Sequence, residues 1–192
     1  MSVYSELLAC FTVGLVKTLF AQSARYPFLY PFQVTSVCFY HLRRLRQIRN
    51  YVSQTVMALV MSLVITRIDY CNSVLAVLPA CTLAPLQRVQ NSAARLVLNL
   101  DRWSHISPAL QQLHWLPVKY RVTFKIATLM HQILHNRCPS YLFDLVAYNV
   151  TDSQRRQLRS STSIAAVVRR SGTEFGKRAF SVCGPDVWNS RS

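Results

Sequence analysis

The sequence predicts a mainly α-helical chain, a small helical bundle with a short β-hairpin near its C-terminus. Three observations lead there. Apolar residues recur at helical spacing through most of the span 37–148. Hydrophobic residues make up 51% of 192 residues and Gly only 4, enough apolar material for a core and too little Gly for a collagen-like or Gly-rich chain. Beyond residue 149 the texture turns polar and Ser/Arg-rich, then shows two short strand-compatible runs around a turn.

Taken in order, residues 1–36 form an N-terminal extension of poor periodicity, with Pro27 and Pro31 as expected helix breakers. From Val37 the spacing becomes helical. Phe39, Leu42, Leu45 and Ile48 recur every third residue, and Arg43, Arg46 and Arg49 follow the same step on a neighbouring stripe. Ser53 is the expected N-cap of a second helix reaching about Tyr70, apolar nearly all round and therefore expected at the centre of the core. Its apolar run, Val56 to Ile65, falls short of the roughly 20 residues a membrane span needs.

Leu78-Pro79 marks a break, after which Thr82 is the expected cap of a helix to about Leu100. Its core side is Leu86, Val89, Ala93, Leu96 and Val97, and its polar side is Arg88, Asn91 and Arg95. A short helix is expected near Ser107 to Leu113, ended by His114-Trp115-Leu116-Pro117. Lys119 to His135 is the clearest amphipathic segment, with Val122, Ile126, Leu129 and Ile133 opposite Arg121, Lys125, Thr128, Gln132 and His135. Pro139 to Leu142 opens a short helix ending about Ala147. Asp152 to Ser163 reads as a loop or linker. Ile164 to Val168 and Phe175 to Val182 are the two expected hairpin strands, about a turn at Arg169-Arg170-Ser171-Gly172, and Gly184-Pro185 is a further breaker. The expected organisation is thus an extension (1–36), a helical region (37–148) and a loop with a hairpin (149–192).

Charge narrows the function classes. Lys and Arg number 22 against 7 Asp and Glu, a net charge of +15, and 18 of the 22 are Arg. Such a balance points to a polyanion, and Arg offers bidentate phosphate contacts that Lys does not. The candidate nucleic-acid-binding residues are Arg43, Arg46 and Arg49 on one helix, Arg88 and Arg95 on another, and Lys119, Arg121 and Lys125 on a third. Arg44, Arg155, Arg156, Arg159, Arg169 and Arg170 add to the basic surface, and Trp115 and Tyr120 are the aromatics near it that stacking on a base would use.

Enzymatic signatures are missing. The acids Glu6, Asp69, Asp101, Asp144, Asp152, Glu174 and Asp186 form no local pair, and no phosphate-binding Gly-rich loop or Gly-x-Ser-x-Gly elbow occurs. His131, His135 and Cys138 have a spacing that brings three metal ligands together, but with no fourth nearby they read as solvent-facing groups. No cofactor and no small-molecule substrate is expected. The six cysteines are irregularly spaced, without Cys-x-x-Cys, and read as reduced, mostly buried thiols. The apolar stretch within residues 7–24 is faintly like a secretory leader, but Glu6 gives its flank the wrong charge. A nuclear or cytoplasmic chain is the favoured expectation, a small membrane-associated or secreted protein the alternative.

Several strings then resemble a known family. They are Arg67-Ile68-Asp69-Tyr70-Cys71-Asn72-Ser73 and Leu86-Gln87-Arg88-Val89-Gln90-Asn91-Ser92-Ala93-Ala94-Arg95-Leu96-Val97. His114-Trp115-Leu116-Pro117-Val118 follows, with Arg121 and Phe124-Lys125, then Pro139-Ser140-Tyr141-Leu142 and Leu158-Arg159-Ser160. Ala179-Phe180-Ser181-Val182, Gly184-Pro185 and Trp188-Asn189 complete the series. In this order they resemble the region after the catalytic palm in the reverse transcriptase polyprotein of LINE-type (non-LTR) retrotransposons, from about Val37 to Asn189. The resemblance implies a helical thumb and post-thumb region, in which the thumb grips a template–primer duplex through its backbone. None of the family's catalytic residues is matched, since the palm's Asp-Asp is absent from the sequence. The expectation is a non-catalytic fragment, truncated at both ends, with residual sequence-independent nucleic-acid binding. An inactive mobile-element remnant is the bland alternative.

Overall fold

The structure, a computed structural model, describes residues 29–51, 55–70, 72–148 and 165–190. The chain is mainly helical, as the periodicity predicts. It divides into two compact units, Met1–Val74 with Pro79–Val118, and Leu75–Leu78 with Lys119–Ser192. The leader-like stretch, the Ser53 cap, Cys71 and the Asp152 to Ser163 loop lie outside the described residues.

The first unit begins with α1 (Leu29–Ile48). It starts eight residues before the helical periodicity becomes readable, and Pro31 does not break it. Pro31 sits in the first turn, where its missing N–H has no intrahelical partner to lose. The buried face of α1 is Cys38, Leu42 and Leu45, while Ile48, expected on that face, is exposed at the helix end. Next comes α2 (Val56–Val60), which passes through a π-helical turn (Met61–Ile65) into α3 (Thr66–Asp69). This rod buries Val56, Val60, Val64, Ile65 and Ile68, but Met57 and Met61 face outward. It therefore shows one face to the core, correcting the expectation of a helix buried all round. The thiol of Cys38 donates weakly to the Val64 carbonyl in the π turn, at 3.9 Å. Burial pushes that thiol's pKa up and so keeps the proton for the bond, while the Arg67 charge acts in the opposite direction.

After a 3-10 turn (Asn72–Leu75) the long helix α4 (Ala80–Leu98) packs along α1. Pro79 takes the N-cap position expected of Thr82, which lies buried inside the first turn. Leu86, Val89, Ala93 and Leu96 are buried as expected. Helix α5 (Ile106–Gln112) follows and ends in a Schellman closure. His114 adopts a left-handed φ of 54°, the Trp115 N–H donates to the Leu110 carbonyl at 2.8 Å, and the His114 N–H donates to that of Gln111 at 3.0 Å. Trp115 and Leu110, the apolar pair that accompanies this motif, are both buried.

A chain of side-chain amides fixes what comes next. Gln90, fully buried, donates to the Leu116 carbonyl at 2.8 Å. Gln87 donates to Gln90 at 3.0 Å and to Asn91 at 2.8 Å, and accepts the Val118 N–H at 2.8 Å. The strings 86–91 and 114–118 are therefore two halves of one hydrogen-bonded device.

Helix α6 (Val118–Leu134) provides most of the second unit's core. It closes like α5: Asn136 is left-handed and the Arg137 N–H donates to the Gln132 carbonyl at 2.8 Å. Met130 and Ile133 meet Val146 and Ala166, with Leu142 and Phe143 at the edge of α7 (Ser140–Phe143), and Phe180 and Trp188 packed against them.

The expected hairpin is not formed among the described residues. Ala166 makes one antiparallel bridge with Tyr148, and its other partner is a side chain. Asn189 donates to the Ala166 carbonyl at 2.8 Å and accepts its N–H at 3.0 Å. The expected second strand, Phe175 to Val182, is instead helical, divided between α8 (Glu174–Lys177) and α9 (Phe180–Asn189). Thr173 is the reason: its hydroxyl accepts the Gly176 N–H at 3.0 Å and starts a helix. Gly184 and Pro185, expected to interrupt, lie inside α9. A Cβ on Gly184 would come within 2.9 Å of the Met130 sulfur, so Gly allows α9 to approach the core. No helix among the described residues is long and apolar enough to cross a membrane.

Candidate nucleic-acid interface

The basic site is built where α1 and α4 end side by side. Arg46 lies in the last turn of α1, Arg49 just beyond it, and Arg95 in the last turn of α4. The chain then reverses. Asn99 takes a left-handed φ of 54° and the Leu100 N–H donates to the Arg95 carbonyl at 3.0 Å. Asn tolerates this conformation because its short side chain finds local hydrogen bonds. The reversal carries Asp101 and Arg102 back over the helix ends.

The result is a concavity of about 560 Å³ lined by Arg46, Arg49, Arg95 and Arg102, with Ser92, Asn99 and Asp101 among its polar walls. Arg49 Nη1 donates to Asn99 Oδ1, and Arg95 Nη2 donates to the Ser104 carbonyl at 3.3 Å. These bonds hold two of the four guanidinium groups in place. One carboxylate, Asp101, stands against four positive charges in this space. Like charges gathered so closely raise the local potential, and an anion relieves it. Arg is the residue type suited to that anion being a phosphate, through paired N–H donors.

The sequence-expected residues divide. Arg46, Arg49 and Arg95 are brought together. Arg43 and Arg88 are exposed and do not line the concavity. Arg88 lies on the same face as Arg95, but seven residues separate them, about 10 Å along the helix axis. Lys119, Arg121 and Lys125 belong to the second unit, on α6. Lys119 and Lys125 are exposed, Arg121 is half-buried, and at about 100° per residue Lys119 points roughly 120° away from Lys125. Arg169 and Arg170 are exposed outside any regular element, and Arg155, Arg156 and Arg159 lie outside the described residues.

The aromatic expectations also change. Trp115 is in the core, so it is not free to stack, whereas Tyr120 is 53% exposed. Sequence reasoning missed Arg102 and Trp103. Trp103 is 88% exposed, and the Arg102 guanidinium carbon lies 5.8 Å from its ring centroid. The readable signal was an Arg-Trp pair just past an Asn where the apolar period ends. Placing it against Arg46 and Arg49 needs the α1–α4 packing.

His131 and His135 are exposed with ring centroids 4.2 Å apart, and among the described residues no three His, Cys, Asp or Glu side chains gather as a metal site. Cys38, Cys81, Cys138 and Cys183 are free thiols. No family model, no curated protein and no solved structure matches the chain.

Proposed function

We propose that this chain is a non-catalytic fragment of a LINE-type retrotransposon reverse transcriptase that binds nucleic acid without reading its sequence. The observation that carries the binding is the convergence of Arg46, Arg49, Arg95 and Arg102 on one concavity in a chain of net charge +15. Guanidinium groups held by Asn99 and Ser104 are positioned for phosphate oxygens, which carry affinity and no sequence information. The ordered strings quoted above support the ancestry. Two of them, 86–91 and 114–118, are physically joined through Gln87 and Gln90, which supports reading them as one unit. Polymerisation is not part of the proposal, because two-metal chemistry needs clustered acids. Asp69, Asp101, Asp144, Glu174 and Asp186 are dispersed along the chain.

The test is a salt titration of binding to an RNA–DNA hybrid by the chain and by the Arg46→Ala/Arg49→Ala/Arg95→Ala variant. Binding by the parent should fall steeply with salt, and the variant's log–log slope should be shallower by about 2–3. Equal slopes would assign the binding elsewhere.

A further inference from the structure

Resting on that reading, we propose that the arginine concavity is a single-strand site, holding a phosphate of an unpaired RNA or DNA strand while Trp103 stacks on the adjoining base. Trp103 leaves 88% of its surface in solvent, so neither the core nor a neighbouring helix uses it. The Arg102 guanidinium carbon lies over its ring, 5.8 Å from the centroid, and Arg102 lines the concavity with Arg46, Arg49 and Arg95. An indole face and a phosphate-binding wall therefore adjoin each other, the two parts that a nucleotide's base and phosphate require. The Arg102 guanidinium beside the ring adds a cation that favours a π-system stacked there.

The geometry also selects among nucleic acids. Inside a duplex, each base has both faces covered by its neighbours, and only an unpaired base offers a face to an indole. Phosphate contacts alone do not select a single strand, since the duplex carries the denser charge along its axis. The preference for a single strand is thus assigned to Trp103 and the general affinity to the arginines. The Asp101 carboxylate on the same wall opposes the phosphate, but four guanidinium groups outweigh it.

The experiment compares three fluorescently labelled probes on the full-length chain by anisotropy. They are an oligouridylate, an abasic oligonucleotide of equal length, and a blunt RNA duplex. The expected result is that the oligouridylate binds at least about fivefold more tightly than the abasic strand, the lower end of what one stacked base contributes. Trp103→Ala should erase that gap and leave abasic binding unchanged. Because Trp103 is so exposed, the substitution leaves the helical circular dichroism signal intact. Equal binding of base-bearing and abasic strands overturns the inference, as does a gap that survives Trp103→Ala. In either case salt-sensitive binding of the hybrid would keep the proposed function standing. Failure to bind any of the three probes overturns the inference, and failure to bind the hybrid as well removes both.

Discussion

In the first unit four guanidinium groups share one concavity, whereas in the second Lys119, Arg121 and Lys125 ride along a single helix. Both sets are basic, but Lys119, Arg121 and Lys125 all lie on one helix, whereas only Arg46 and Arg95 of the first set are helical. They differ in what the backbone does next. Beyond α4 the chain reverses at Asn99 and lays Arg102 against residues from α1. The α6 residues belong to one cylinder, and a cylinder spreads its side chains outward. Charge on a helix makes a surface, and charge gathered by a chain reversal makes a site.

The sharpest way to break this comparison is to strip charge from each. Removing Arg46, Arg49 and Arg95 should weaken hybrid binding by tenfold or more in moderate salt. Removing Lys119 and Lys125 should cost only a few-fold, since exposed, separated charges are screened. Fluorescence anisotropy of the two variants side by side decides it, and equal losses would make the concavity irrelevant.

The units also differ in how side-chain amides hold irregular backbone. Asn189 satisfies both the N–H and the carbonyl of Ala166, and Asn189→Ala should cost about 2–3 kcal/mol by urea unfolding. Gln90→Ala should cost about 1–3 kcal/mol, because it strips a donor from the Leu116 carbonyl and an acceptor from Gln87. If both prove neutral, apolar packing alone orders these segments.

Cys183 gives the second unit a pH dependence. Its thiol is buried, and burial pushes its pKa up to about 11 from 9.0. The folded state therefore holds this proton more tightly than the unfolded state. The stability it contributes is complete below about pH 9 and is lost as pH rises through about 11. Stability should fall by roughly 1–2 kcal/mol across that window, and Cys183→Ala should flatten the fall in thermal melts. The smallest effect is expected at Val77, a β-branched, half-exposed residue at a left-handed φ of 61°. Val77→Asn should raise stability by about 0.5–1 kcal/mol.

These particulars show what was legible. Helical periodicity finds the buried rows of α4 and α6, because a packed face repeats with the helix itself. It misses the start of α1, since Pro31 stops a helix only where an N–H is needed. It misreads Gly184-Pro185 as an end, because the neighbour that requires a small residue at 184 is Met130, more than fifty residues away. The apolar, β-compatible run from Phe175 to Val182 looks like a strand until the Thr173 cap is set against it. Three of the site's four arginines were readable as stripes. The fourth, and Trp103 beside it, depend on a single left-handed residue that periodicity does not see.

The bond from Val118 to Gln87 has one more consequence. The first residue of a helix has no intrahelical acceptor for its amide and is ordinarily among the first to trade its hydrogen for deuterium. Val118 is 1% exposed and its amide is taken by a side chain thirty-one residues back in the sequence. Its exchange clock is therefore set by the opening of the Gln87–Gln90 clasp and not by local fraying. A single amide resonance becomes a gauge of whether two distant stretches of sequence are still holding each other.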